Sequence, residues 1–512
     1  MKRLVTLVAL TSVALAAPAA PALAGKGQLS VFQHDALLRG SGDAERNATL
    51  DELDRLGVDV VKTLVLWRSL APAGDSKPSG FDGSDPAAYS ADAWAPYDAL
   101  VREATARGMR VFFALGGRAP DWASKGGGGA KKPSPREFRR FVIAVGTRYS
   151  GSYTIAGGSA PAPEPQPDPE PDPDMPLPLP LQAVPAGSGT TLPRVGLWSV
   201  WNEPNLGSWL RPQKRKGRPF APHHYRKLVR KAAAALRKTG HRGDTLLLGE
   251  LLPYGGNRNR MRPLHFLREL ACVNRRYRPF RGKAARKRGC KKFKRLPGNG
   301  FAIHPYTLAG GPGVRMRNRD DVTISYLGRL TKALNKLGKK RRLKKRMPVW
   351  VTEFGFQTNP PDIFQTSIKK VPRFLGWSEW LSYKKSRVRA HAQYLLTDEP
   401  ASGSGFGRYA GFQTGIRFAS GKKKKQVYRA YARPFYVRAR GRKVKAWGGI
   451  RAAGSGKKVV VQVKRGGKWR KLGRTKTRRQ GYFRKSFRVS KASKRKYRFR
   501  GGGGTSAHLR PR

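Results

Sequence analysis

Val195-Gly196-Leu197-Trp198-Ser199-Val200-Trp201-Asn202-Glu203-Pro204-Asn205 is an apolar run that stops at a carboxylate. Its first six residues, bulky and partly β-branched, read as a buried strand. The polar residues after it, with a proline among them, cannot continue that strand. A second run has the same form: Val349-Trp350-Val351-Thr352-Glu353-Phe354-Gly355, with its glutamate 150 positions after the first. A buried glutamate in an apolar run is expensive unless it is paired or functional. Two carboxyl groups brought together from distant parts of one chain are the minimum apparatus for cleaving a glycosidic bond.

Outward from these two segments the pattern alternates. Leu29–Phe32 is the first expected strand, followed by a helix with a capping box at Thr49 and Glu52 and a stop at Gly57. Val58–Leu66 is a strand, Tyr97–Arg107 a helix, Arg110–Leu115 a strand and Pro135–Tyr149 a helix. Val195–Val200 is the fourth strand, with a helix over Tyr225–Lys238. Thr245–Leu248, Phe301–His304, Val349–Thr352 and Ala392–Leu396 are strands five to eight. Their helices are Pro263–Leu270, Val322–Leu337, Phe374–Tyr383 and Gln426–Arg433. Eight strand–helix units predict an α/β fold, a (β/α)8 TIM barrel, over residues 25–437. An open doubly wound sheet is the alternative, but no Gly-rich nucleotide loop follows the first strand.

The ends have a different character. Lys2 and Arg3, the apolar stretch to Ala17 and Ala22-Leu23-Ala24 read as a secretory signal over residues 1–24. No later apolar run is long enough to span a bilayer. The expectation is therefore a secreted, extracellular protein, a monomer, with retention at the cell envelope open. From Arg438 onward short β-like runs alternate with basic, Gly-rich turns, predicting a small antiparallel β-sandwich over 438–500 and a flexible tail over 501–512. Trp447, Trp469 and Tyr482 are either its core or an exposed sugar-binding face. Between the third helix and the fourth strand, residues 152–193 hold no Lys or Arg, and Pro161–Pro173 alternates proline with other residues. Such a chain is extended. It is either a surface loop or an acidic arm docked on the protein's own basic surface.

Lys and Arg total 105 against 31 Asp and Glu, a formal net charge of +74. Charge of this size speaks of solubility and association rather than of fold. It is either a solvated cationic surface or a site for a polyanion such as an acidic cell-wall polymer. No nucleic-acid-binding motif accompanies it, so no specific nucleic-acid partner is expected. Cys272 and Cys290 are the only cysteines and read as a structural disulfide rather than a catalytic pair. No His or second Cys pair stands at metal-ligand spacing, so neither metal nor cofactor is expected.

His304-Pro305-Tyr306 closes strand six, next to strand seven. Residues two apart on a strand face the same way, so His304 and Tyr306 both point toward the barrel mouth. With Glu203 and Glu353 they make the chain, over about Leu29 to Phe435, resemble the clan of retaining (β/α)8 glycoside hydrolases that includes the family 5 cellulases. Leu56-Gly57-Val58 leading to Trp67, Ala119-Pro120-Asp121-Trp122 and Ala392-Gln393-Tyr394-Leu395 also look like that clan. The resemblance implies a cellulase-like O-glycosyl hydrolase acting on β-linked glycans. Glu203 would be its acid/base and Glu353 its nucleophile. Asn202 would contact the sugar 2-hydroxyl, Tyr306 would hydrogen-bond Glu353, and His304 would line the subsite where the bond is cut. Lys62 stands where members commonly carry Arg, and a lysine lacks the bidentate fork. Strand eight lacks the Trp many members use as a sugar platform, a place that Trp67, Trp122, Trp377 or Trp380 would have to take. The competing function is an inactive barrel that binds anionic cell-wall polysaccharide.

Overall fold

The computed structural model describes residues 28–126, 128–155, 189–307, 309–402 and 407–511. The expected signal and most of the Pro-rich acidic segment lie outside them; the described flanks of that segment, Thr154–Ile155 and Thr190–Thr191, pair as an antiparallel ribbon.

Eight parallel strands close into a barrel: β1 (Leu29–Gln33), β2 (Val60–Leu66), β3 (Arg110–Gly116), β4 (Leu197–Val200), β5 (Thr245–Leu251), β6 (Gly300–Ile303), β7 (Val349–Val351) and β8 (Val388–Tyr394). Each pairs with its neighbours in sequence, and β1 pairs with β8 to close the ring. Helices α1 (Asp43–Arg55), α2 (Ala91–Ala106), α3 (Pro135–Arg148), α4 (Ala221–Lys238), α5 (Pro263–Leu270), α6 (Leu327–Lys339), α7 (Val371–Tyr383) and α8 (Lys425–Ala432) alternate with them. Leu29, Val31, Val60, Phe112, Leu197, Leu247, Ala302, Trp350, Ala390 and Ala392 pack together inside the barrel. That packing leaves the C-terminal rim as the place for chemistry.

Helix boundaries moved where local signals compete. α1 begins at Asp43, so Thr49 and Glu52 lie inside it rather than forming a capping box. Asp43 and Glu45 occupy its first turn, where the helix dipole favours acidic side chains. Glu52 instead takes a bidentate ion pair from Arg417. α2 starts at Ala91, capped by Ser90, and runs through Pro96, which in sequence marks a boundary. Gly57 ends α1 at φ +73°, and a side chain there would meet the backbone of Arg451 and Ala452.

After α8 the chain forms β9 (Phe435–Arg440), β10 (Lys443–Gly449), β11 (Lys458–Arg465), β12 (Lys468–Lys476), β13 (Tyr482–Arg488), β14 (Tyr497–Gly501) and β15 (Gly504–Thr505). Their order is β9-β10-β13 in one antiparallel sheet and β12-β11-β14-β15 in the other. Val437, Val444, Val459, Val461, Val463, Phe483 and Phe499 pack between them. The last residues are no free tail: β15 pairs with β14, and Leu509 bridges back to Tyr497. Nor do Trp447 and Tyr482 form an exposed face. Both are buried against Trp380 and Tyr383 near the end of α7. Beneath them, buried Glu379 of α7 pairs with Arg451 and accepts a 2.8 Å hydrogen bond from the Tyr482 hydroxyl. Trp469 is half-buried, with the Arg498 guanidinium 4.3 Å from its ring centre.

Cys272 and Cys290 are joined as a disulfide that ties the end of α5 to a basic loop. No helix among the described residues is long and apolar enough to cross a membrane.

Candidate active site

Glu203 and Glu353 meet at the barrel mouth. One carboxylate oxygen of each, together with a ring nitrogen of His304, lie within 4.8 Å of one another. Both glutamates line a cleft of about 630 Å³ with Asn202, Trp209, Tyr306 and Tyr394.

The backbone bends sharply to place Glu203. Trp201 (φ +66°) and Glu203 (φ +38°) both lie in the left-handed region, which is uncommon for side-chain-bearing residues. Trp201 is fully buried and its indole N–H donates to the Trp209 carbonyl at 2.9 Å. Asn205 braces the turn from below. Its side chain donates to the Met261 carbonyl at 2.9 Å and accepts from the Leu252 N–H at 2.9 Å, joining the loops after β4 and β5.

A third glutamate shares the site. Glu250 is completely buried, and its Oε2 accepts from Lys62 Nζ at 3.0 Å, from Thr352 Oγ1 at 2.9 Å and from His304 Nε2 at 2.5 Å. A β-bulge puts it there. Leu248 opposes Phe301 while Leu251 opposes Ile303, so β5 carries one residue more than β6 over this span. The extra residue reverses the in–out alternation and turns Glu250 inward. Gly249 (φ +111°) makes the bulge possible, because a Cβ there would stand 2.4 Å from the Ala302 carbonyl oxygen. Tyr225 of α4 fastens both bends, donating to the Val200 carbonyl at 2.9 Å and accepting from the Gly249 N–H at 3.0 Å.

Lys62 on β2, fully buried, bridges Glu250 to Glu353 Oε1 at 3.2 Å. His304 Nδ1 lies 3.0 Å from Glu203 Oε1 and 3.3 Å from Glu353 Oε2. The Tyr306 hydroxyl donates to Glu353 Oε2 at 3.4 Å.

These contacts decide the charges. Burial disfavours an imidazolium at His304, but the carboxylates of Glu353, Glu203 and Glu250 outweigh it and raise the ring to about 9. Burial would raise Glu250 too, yet Lys62 and His304 hold it down at about 2. At Lys62 the two glutamates overcome burial and raise the ammonium. At Glu203 burial wins over the hydrogen bond from His304, and the carboxyl sits above the ordinary range. Tyr306 is pushed well above the usual phenol range by burial and by the charge of Glu353, so it stays a donor. Burial thus pushes Glu203 toward its neutral form, while Lys62 and His304 bridge Glu250 to the pair at the mouth.

The expected site residues divide into three groups. Glu203, Glu353, Asn202 and Tyr306 line the cleft, and the Asn202 carbonyl oxygen is buried without a hydrogen-bond partner. His304 and Lys62 lie beneath them with no exposed surface, so neither lines a sugar subsite. Trp67 is excluded as a sugar contact. It is 1% exposed, stacked on Phe141 and packed against Phe138 between the barrel and α3. Trp122 packs edge-on against Trp67, while Trp377 and Trp380 lie on α7 away from the cleft. Among the described residues, the aromatic rings at the cleft are Trp209, Tyr254, Tyr306, Phe356, Tyr394 and Phe412. Glu250 lies beyond the strand expected from the sequence, which ends at Leu248. Gly249-Glu250 inside the apolar run 246–252 is the available signal, since glycine within a strand marks a bulge.

No family model matches the sequence, and no curated protein matches it. Solved structures of similar fold include a β-glucuronidase from Bacteroides uniformis, 10% identical over 95% of this chain and 46% of that one (TM-score 0.44). The exo-β-1,4-mannosidase Op5Man5 from Opitutaceae bacterium strain TAV5 is 12% identical over 79% of this chain and 58% of that one (TM-score 0.45). A GH5_18 protein from Streptomyces cattleya, solved in complex with GlcNAc, is 13% identical over 79% of each chain (TM-score 0.47). The chain thus spans less than half the length of the glucuronidase and just over half that of the mannosidase. These likenesses are weak, and any activity of this chain has to be argued from its own site.

Proposed function

We propose that the chain is a retaining glycoside hydrolase acting on β-linked glycans, with Glu203 as acid/base and Glu353 as nucleophile. One observation carries this reading: the two carboxyl groups approach within 4.8 Å at the C-terminal mouth of a closed barrel, both opening into one cleft. Retaining enzymes hold their pair about 5–5.5 Å apart, whereas inverting enzymes leave room for a water between theirs.

In the first step a Glu353 oxygen attacks the anomeric carbon. The bond to the leaving oxygen breaks, and that oxygen takes the proton from Glu203. In the second step Glu203, now ionised, removes a proton from water. The resulting hydroxide displaces Glu353 from the sugar and Glu203 is protonated again. Burial of Glu203 raises its carboxyl and so favours the neutral acid needed at the start. Lys62 and Tyr306 orient Glu353, each from one oxygen. The unpartnered Asn202 carbonyl is placed to receive a hydroxyl of the bound sugar, the role that the resemblance assigns toward the 2-hydroxyl. Export would suit the disulfide, which persists in an oxidising compartment.

The test is hydrolysis of a panel of aryl β-glycosides and β-glycans by the full chain. Turnover should vanish in Glu353→Gln. Glu203→Ala should retain part of the activity on activated aryl leaving groups, which need less acid assistance, and lose the alkaline limb of the pH profile. A panel with no turnover would reject the hydrolase and favour a barrel that only binds anionic polymer.

A further inference from the structure

Among the described residues lining the cleft there is one cationic side chain, Arg260. It belongs to the loop between β5 and α5 and is tied to the loop that carries Glu203. Arg260 forms an antiparallel bridge with Leu206, and the next N–H, of Met261, donates to the Asn205 carbonyl at 2.9 Å. Its guanidinium carbon lies 5.9 Å from the centre of the Tyr254 ring. Its Nε is shielded from water and has no hydrogen-bond partner, and no described carboxylate pairs with the group. Three arginines that follow β1, β2 and β5 are paired instead. Arg39, Arg68 and Arg262 each hold an aspartate.

We propose that Arg260 recognises a carboxylate on the substrate, and that the substrate is therefore an acidic glycan with a uronate on the leaving-group side of the cut bond. This rests on the roles given above to Glu203 and Glu353. Glu353 attacks one face of the anomeric carbon, so the departing oxygen lies on the opposite side, toward Glu203. The loop of Glu203 then borders the departing sugar, and Arg260 is fastened to that loop. A guanidinium presents parallel N–H donors that match the two oxygens of a carboxylate. Placing it apart from Glu203 and Glu353 also lets an anionic sugar enter a cleft whose floor already holds carboxyl groups. The excess of 105 basic over 31 acidic residues acts in the same direction, raising the local concentration of a polyanion before Arg260 selects it.

The experiment measures binding by calorimetry in the full chain carrying Glu353→Gln, so that the ligand survives. The probes are β-1,4-linked tetramers of mannuronate and glucuronate, against the neutral mannose and glucose tetramers. Salt at about 0.5 M, with a screening length of about 4 Å, removes the contribution of outlying surface charge. An acidic tetramer should bind about tenfold more tightly than its neutral counterpart, the value of one charge-assisted contact. Adding Arg260→Gln should abolish that preference, and Arg260→Lys should restore part of it, with melting curves verifying the fold of each variant. No preference in the parent, or a preference that persists in Arg260→Gln, overturns the proposal. Turnover of neutral aryl glycosides tests the hydrolase reading separately. Arg260-dependent binding without turnover leaves the carboxylate site standing and removes the enzyme; turnover with equal binding of both probes does the reverse.

Discussion

Glu250→Gln keeps the shape of the buried cluster and removes one charge, so its consequences can be worked out in sequence. The wild-type carboxylate is held at about 2, against 4.5 when free. At 1.36 kcal/mol per unit, that difference is worth about 3 kcal/mol of folding stability. Because the folded value is depressed, this contribution is present above pH 4.5 and is lost as the pH falls from 4.5 toward about 2. His304 works in the opposite sense. Its folded value is raised from 6.5 to about 9, so its contribution is complete below pH 6.5 and is lost as the pH rises through about 9. Both are intact between about pH 4.5 and 6.5. In Glu250→Gln the ammonium of Lys62 and the imidazolium of His304 lose the carboxylate they share, leaving a buried cation short of a partner. Breaking a buried pair in this way costs about 3–5 kcal/mol, which agrees with the titration figure. Urea denaturation at pH 6 should show that loss. Between pH 4.5 and 2 the variant should lose less stability than the wild type, and its alkaline decline should begin at lower pH because His304 has lost a partner. Activity should fall by about a hundredfold if Lys62 and His304 turn away from Glu353, the scale of a small misplacement at a reacting group. Equal stability at pH 6, with an identical acid limb, would refute the ionised Glu250 and the bridges built on it.

Two further predictions concern the frame. Trp67→Ala should cost about 3–5 kcal/mol in chemical denaturation, the usual price of emptying a buried aromatic site, while KM in the folded fraction stays unchanged; a raised KM with full stability would return Trp67 to the cleft. Removing the disulfide through Cys272→Ser and Cys290→Ser together should cost about 3 kcal/mol for a closed loop with a sequence separation of 18. Cleft chemistry should be unaffected, which a kcat measured well below the new Tm would check.

Periodicity along the chain carries most of the fold. The runs around Val60–Leu66, Arg110–Gly116 and Val349–Val351 are rich in apolar residues on both faces, as suits strands enclosed by helices, and they alternate with helical segments ending at Gly57, Gly108 and Gly240. Local signals misled where several compete: the Thr49–Glu52 capping pattern is real as a pattern, but the dipole-compatible start at Asp43 extends the helix through it. Aromatic residues were ambiguous for a different reason. Trp67, Trp447 and Tyr482 carry large apolar areas that suit a core and a sugar platform equally, and only their neighbours separate the two.

The sequence by itself determined that two glutamates end the fourth and seventh strands of a (β/α)8 pattern, because strand order and the residues at strand ends are linear properties. Closure of the barrel then decided what no linear reading reaches. It brought Lys62, Glu250 and His304, from three different strands or their ends, under the two glutamates. It also made the bulge at Gly249 reverse the direction of one side chain, and that reversal converts a pair of carboxyl groups into a cluster of three bridged by Lys62 and His304. Pairing register and burial set those charges, and both are properties of strands side by side rather than of residues in a row.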